Sequence, residues 1–151
     1  MSLKEEPALV ELHGWITLSE SYEYGIETDN EKDNEKDNEE EIVAEIGKYI
    51  DDLDFQPDEV VLRYLNGTPH ISISMYKNRI TQEVENVFNL FQCVAEKAKG
   101  SYGLLYLYDT EDTDGKDNLF QVYVLARGAI KTTTDTFLSP LVPVVASMDW
   151  E

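Results

Sequence analysis

Two histidines, His13 and His70, one cysteine, Cys93, and a run of acids from Asp109 to Asp117 are the residues whose chemistry could amount to a site. A catalytic histidine needs a second polar group to take or orient its proton, and a metal-bound one needs ligands at set spacing. Neither histidine has such a neighbour in sequence, and a lone cysteine makes neither a disulfide nor a thiolate cluster. Cys93 and a histidine would form a thiol dyad only if the fold joined them, and no motif surrounds Cys93. The acidic run does not fit a calcium loop. With Gly115 at the sixth position of an EF-hand loop, the first falls on Thr110 and the twelfth on Gln121, where acidic ligands belong. Asp114-Gly115 reads as a hairpin turn instead, leaving Asp109, Glu111, Asp112, Asp114 and Asp117 as carboxylates for docking a partner. No glycine-rich phosphate loop or nucleophile elbow occurs. No catalytic residue, metal site or cofactor is expected.

Charge says more about partners. The 151 residues include 31 acids and 12 basic residues, a formal charge of −19. Such a surface repels nucleic acid and anionic membranes, and draws basic proteins at a rate that falls with salt. Neither direct nucleic-acid binding nor membrane binding is expected. No apolar run approaches the roughly 18 residues of a membrane span, and Met1 to Pro7 lack a basic and then apolar signal region. A cytoplasmic protein is the expectation.

Alternating apolar residues place the elements that would position these groups. Ala8 to Leu18 reads as a half-buried strand, with Val10, Leu12, Ile16 and Leu18 on one face and Glu11, His13, Trp15 and Thr17 on the other. Trp15 is either core on the second face of a sheet or an exposed anchor for a partner, with Glu11 beside it. The tandem Asp-Asn-Glu-Lys units from Asp29 hold no apolar residue, so a mobile acidic insertion is expected at 27–39. From Glu27 to Glu41 lie nine acids and two lysines, a net of −7, which leaves −12 on the rest. A helix is expected from Glu40 to Leu53, on Ile42, Ile46, Tyr49, Ile50 and Leu53. Strands follow at Glu59–Leu65 and His70–Tyr76 around Asn66-Gly67, where Pro69 would widen the turn.

A second helix is expected from Thr81 to Lys99, with Val84, Val87, Phe88, Phe91, Ala95 and Ala98 as its stripe and Cys93 off it. Gly100 stands where a left-handed helix-ending glycine belongs. Tyr102–Tyr108 and Leu119–Ala126 then form a central hairpin, the first strand apolar enough to be buried on both faces. Arg127 ends that hairpin, where an internal ion pair is its expected role. The tail beyond Gly128 is expected to be extended and packed. The order β-α-β-β-α-β-β makes one α+β domain over 1–151, a largely antiparallel sheet of about five strands with two helices on one face. Strand order stays open on the sequence.

Five segments, spread over nearly the whole chain, resemble immunity protein family 7 of bacterial polymorphic toxin systems. They are His13-Gly14-Trp15-Ile16, Asn66-Gly67 with His70-Ile71-Ser72, Gly100-Ser101-Tyr102-Gly103-Leu104-Leu105-Tyr106, Val124-Leu125-Ala126-Arg127-Gly128, and Asp135-Thr136-Phe137-Leu138-Ser139-Pro140. The chain departs from the family pattern at the Asp-Asn-Glu-Lys repeat and at Lys77-Asn78-Arg79, where a histidine–arginine pair is common. The resemblance implies an α+β inhibitor, encoded beside a toxin, that binds the cognate toxin domain without catalysis. Many toxin domains are basic nucleases, whose phosphate sites a carboxylate-rich surface could occupy.

Two other functions stay open on the residues alone. One is a general acidic interaction module or nucleic-acid mimic, which would bind several basic proteins with steep salt dependence. The other is a small hydrolytic enzyme using His13 or His70, which would need a pocket joining a histidine to a second polar group.

Overall fold

The computed structural model describes residues 8–21 and 29–138, with side chains from Asn38 onward in the second stretch. Alternation along strand β1 (Val10–Thr17) is realised as expected: Val10, Leu12 and Ile16 are buried, while Trp15 between them is exposed. The chain continues through helix α1 (Asp29–Asp52), strands β2 (Val60–Leu65) and β3 (Thr68–Lys77), and helix α2 (Gln82–Lys97). Strands β4 (Tyr102–Asp109), β5 (Gln121–Ala126) and β6 (Ala129–Thr134) complete it. All six strands form one antiparallel sheet in the order β2-β3-β1-β4-β5-β6. The α+β class holds, with one strand more than expected.

That order contains two interleaved crossovers. β1 reaches β2 through α1 with β3 between them, and β3 reaches β4 through α2 with β1 between them. This is the split β-α-β arrangement of ferredoxin-like sheets, extended by β5 and β6. The two crossovers run in opposite directions along antiparallel strands, so the usual right-handed connection puts both helices on one face. Val43, Ile46 and Ile50 of α1 and Val84, Leu90, Phe91 and Val94 of α2 join a single core with Leu12, Ile16, Ile71, Met75 and Leu105.

Helix α1 begins eleven residues before the expected start, and its backbone carries the tandem repeat as helix where a loop was expected. Its apolar anchors still begin at Ile42, so the expected helix marks the packed part. Residues 27 and 28 lie outside the described residues. Thr81 caps α2, its Oγ1 accepting from the Val84 N–H, and Lys97 stands in the last turn. The expected stripe is broadened by buried Leu90 and Val94, and Phe88 meets Tyr123 edge-on at 4.9 Å.

Lys77 ends β3 and links two further elements. Its Nζ lies 2.9 Å from Glu59, ahead of β2, and also pairs with Glu83 in the first turn of α2. The bond to Glu83, then that to Glu59, holds the ammonium above the ordinary lysine range against the opposing effect of burial. The Lys77-Asn78-Arg79 segment therefore begins with a residue that ties sheet to helix.

Three readings of the glycines and turns need adjustment. Asn66 and Gly67, at φ 53° and 79°, make a two-residue turn closed by Leu65 and Thr68, so Pro69 does not widen it. Pro69 lies within β3 and accepts from the Leu18 N–H at 3.0 Å. Arg127 and Gly128, at φ 53° and 73°, form the matching turn between β5 and β6, which places Arg127 in an exposed turn. Gly100 has no positive φ. It is required for close approach instead, since a Cβ there would fall 2.3 Å from the Ser21 backbone.

β4 is buried on one face more than on the other. Gly103, Leu105 and Leu107 face the helices and are buried, whereas Tyr102 is exposed and Leu104 and Tyr106 are half-buried. The two-sided burial expected of this strand holds only at Tyr108. Of the expected packed tail, Phe137 is 83% exposed and Leu138 is also exposed, and residues 139–151 lie outside the described residues.

Two outcomes are expected from this packing. A Cβ on Gly103 would lie 2.1 Å from the Trp15 carbonyl oxygen, where β4 crosses β1. Gly103→Ala must part these two backbones, and should cost about 2–3 kcal/mol in urea unfolding. A variant melting within two degrees of the parent would show that the strands yield freely. Deleting Asp29–Lys36, which precedes every apolar anchor of α1, should shift Tm by only a few degrees, on the order of 1 kcal/mol or less. A larger loss in the same melt would mean that the repeat packs.

Candidate partner-binding face

With both helices on one side, the other side of the sheet presents every second residue of each strand. Strand register fixes which residues meet there. Glu11 stands between Tyr76 of β3 and Tyr108 of β4, His13 between Ser74 and Tyr106, and Trp15 between Ser72 and Leu104. Thr17 follows, between His70 and Tyr102. Trp15, Tyr76 and Tyr102 are 43%, 56% and 47% exposed, which leaves three large aromatic side chains open on one face of the sheet.

These side chains are held by one another. The Glu11 Oε1 accepts from the Tyr76 hydroxyl at 2.8 Å and lies 2.5 Å from His13 Nε2. The His13 ring meets Tyr76 edge-on at 5.7 Å, and Trp15 meets Tyr102 edge-on at 6.0 Å. Thr17 Oγ1 lies 3.0 Å from His70 Nδ1. At the β5 end, Phe120 covers Tyr106 and Tyr108, with ring centroids 5.8 Å and 5.9 Å away.

Placement sets aside the reading of Trp15 as core. It is an exposed residue on the open face, with Glu11 two pleats along the same strand. The turn acids divide into two groups. The Asp109 Oδ1 accepts from the Glu111 N–H at 3.0 Å, and the Asp112 Oδ1 accepts from the N–H groups of Asp114 and Lys116 at 2.7 Å and 3.3 Å. The Asp112 Oδ2 takes a further bond from the Gln121 amide. Asp109 and Asp112 thus brace the turn, while Glu111, Asp114 and Asp117 are exposed at its tip.

Both histidines lie on the open face, and Cys93 lies on α2 across the sheet, so the fold does not assemble a thiol–imidazole dyad. Burial raises the Cys93 thiol above its ordinary range, which disfavours the thiolate further. No group of three or more His, Cys, Asp or Glu among the described residues could hold a metal ion. No helix among the described residues is long and apolar enough to cross a membrane.

Sequence reasoning placed Trp15 and Glu11 together but missed Tyr76 and Tyr102. The signal for Tyr76 was present, because Ile71, Ile73 and Met75 face the core and leave Ser72, Ser74 and Tyr76 outward. What periodicity could not supply was the pairing of β3 with β1, which brings Tyr76 against Glu11.

A family model described as Immunity protein 7 matches residues 9–147, nearly the whole chain. No curated protein and no solved structure matches the chain.

The Glu11–Tyr76 contact has a titration signature. The hydrogen bond to Glu11, followed by burial and the Glu11 charge, raises the Tyr76 phenol above its ordinary value. A folded pKa raised in this way supports the native state below the unfolded-state value of about 10 and loses that support as pH rises through the folded value. In a tyrosine-labelled NMR titration, Tyr76 should ionise above the ordinary value and fall back toward it in Glu11→Gln. An unchanged midpoint in that variant would mean the contact is absent in solution.

Proposed function

The chain belongs to the immunity protein 7 family, and we propose that it neutralises a cognate toxin of a polymorphic toxin system by binding the toxin domain in the cytoplasm. The observation that carries this reading is the family match over residues 9–147. Such a protein acts as a stoichiometric inhibitor and needs no catalytic residue. Two further properties support binding as the mode of action: an exposed aromatic face on the side of the sheet away from the helices, and a formal charge of −19.

The two properties take different parts. Aromatic residues that are already ordered lose little entropy on docking and bury a large area, so Trp15 is the anchor, with Glu11 two pleats along the same strand. Exposed carboxylates are screened by salt and chiefly set the rate of encounter, the role of Glu111, Asp114 and Asp117 at the turn. Asp109 and Asp112 shape that turn. A basic nuclease is the toxin class that this charge suits best, because its phosphate-binding site attracts carboxylates. The same charge would suit a general acidic module, from which a single partner held at moderate salt separates the proposed function.

Co-expression tests the reading directly. Cells producing the neighbouring gene's toxin domain should survive only with this chain, and survival without it would overturn the proposal. In surface plasmon resonance, Trp15→Ala should speed dissociation at least tenfold while changing the free protein's stability by about 1 kcal/mol or less. The triple variant Glu111→Gln, Asp114→Asn, Asp117→Asn should slow association several-fold in dilute buffer and little at high salt. If it associates at the parental rate in dilute buffer, the turn lies outside the interface.

A further inference from the structure

The charge of this protein is unevenly placed. Among the strand residues that the register puts on the open face, Glu11 is the only carboxylate, in a chain with 31 acids. The basic strand residues of that face, Arg63 and Lys131, stand on the outer strands β2 and β6, with β1 at the middle. The centre of an acidic protein therefore presents an aromatic surface in which Glu11 is the one carboxylate carried by a strand, while Asp135, beyond β6, reaches the Tyr106 hydroxyl from the β5 side.

That charge is held in place. The Glu11 side chain is 18% exposed, and its Oε1 is fixed by the Tyr76 hydroxyl and His13 Nε2, while no described residue bonds Oε2. Tyr76 and His13 give it aromatic neighbours on the same face. A fixed carboxylate beside aromatic rings suits a planar cation, which can donate to the oxygen and lie against a ring together. A guanidinium does both at once through its planar, weakly hydrated fork, whereas an ammonium is a compact and strongly hydrated point charge that cannot stack.

We infer that Glu11, braced by His13 and Tyr76, receives one arginine side chain of the toxin domain at the centre of the interface. This deepens the immunity reading and rests on it. It differs from contact with a broadly basic surface, because one cation meets the single carboxylate that β1 presents on this face, while the turn acids act at a distance. Partner specificity then depends on the position of a single arginine, with the rest of the contact supplied by rings and methyl groups.

Binding kinetics with the neighbouring gene's toxin domain test it. Glu11→Gln keeps the shape and removes the charge, and should raise the dissociation rate 10- to 100-fold at 150 mM salt with association nearly unchanged. Glu11→Asp, which keeps the charge one methylene short, should recover part of the lost lifetime, and circular dichroism should report the parental fold for both. Combined with arginine-to-alanine variants of the toxin, Glu11→Gln should be non-additive with one of them and additive with the others. Parental dissociation by Glu11→Gln, or additivity with every arginine, overturns the inference while leaving the immunity reading intact. No binding by the unaltered chain overturns both. Sedimentation of the chain alone gives a further control: a dimer that Glu11→Gln dissolves would assign this face to a second copy and overturn the inference.

Discussion

The hydrogen bonding of β1 on both sides is the constraint on which the other elements depend. All eight residues of this strand pair with β3 on one edge and β4 on the other, which satisfies its backbone completely within the sheet. Once it is inserted between β3 and β4, the chain can join those two strands only by an element long enough to cross it. Helix α2 is that element, and α1 does the same for β1 and β2 around β3. Both crossovers fall on one side, so the opposite side is left to the odd-phase residues of β1, among them Glu11 and Trp15.

Close contact at the centre follows from the same arrangement. Gly103 lets β4 lie against the Trp15 carbonyl, and Gly100 lets the chain leaving α2 lie against Ser21 just past β1. Both glycines flank the start of β4, so this junction is set by backbone proximity more than by side-chain packing. Lys77 gives the other end of the sheet a different fastening, in which one ammonium spans β3, the approach to β2 and the first turn of α2. Pairing with two carboxylates is what makes its partial burial tolerable.

Much of this was legible in the sequence. Strict alternation gave β1 and β3, the 3.6-residue stripe gave α2, and Asn66-Gly67 gave the first hairpin. β6 was missed because Ala-Ile-Lys-Thr-Thr-Thr has one large apolar residue and no alternation, and its turn places Arg127 at a positive φ that arginine seldom adopts. The early part of α1 is not legible from burial, because a polar repeat has nothing to bury. Glutamate and lysine favour helix by intrinsic propensity even where nothing packs, and a helix already nucleated by Ile42, Ile46 and Ile50 can extend into them. At the candidate interface, the phase of β1 placed Trp15 and Glu11 together. Their aromatic neighbours from β3 and β4 depended on strand order, which is a long-range property.

The helical path of the repeat bears on how this gene can change. A four-residue unit slightly exceeds the 3.6-residue turn, so each unit gained or lost changes the helix by about 6 Å in length and about 40° in azimuth. Slippage by whole units therefore alters both the reach and the direction of the acidic end in small, regular steps. The segment from Ile42 onward keeps its register against the sheet throughout. Replication error can in this way sample many charge distributions around an unaltered core, leaving the geometry of the sheet outside the reach of that variation.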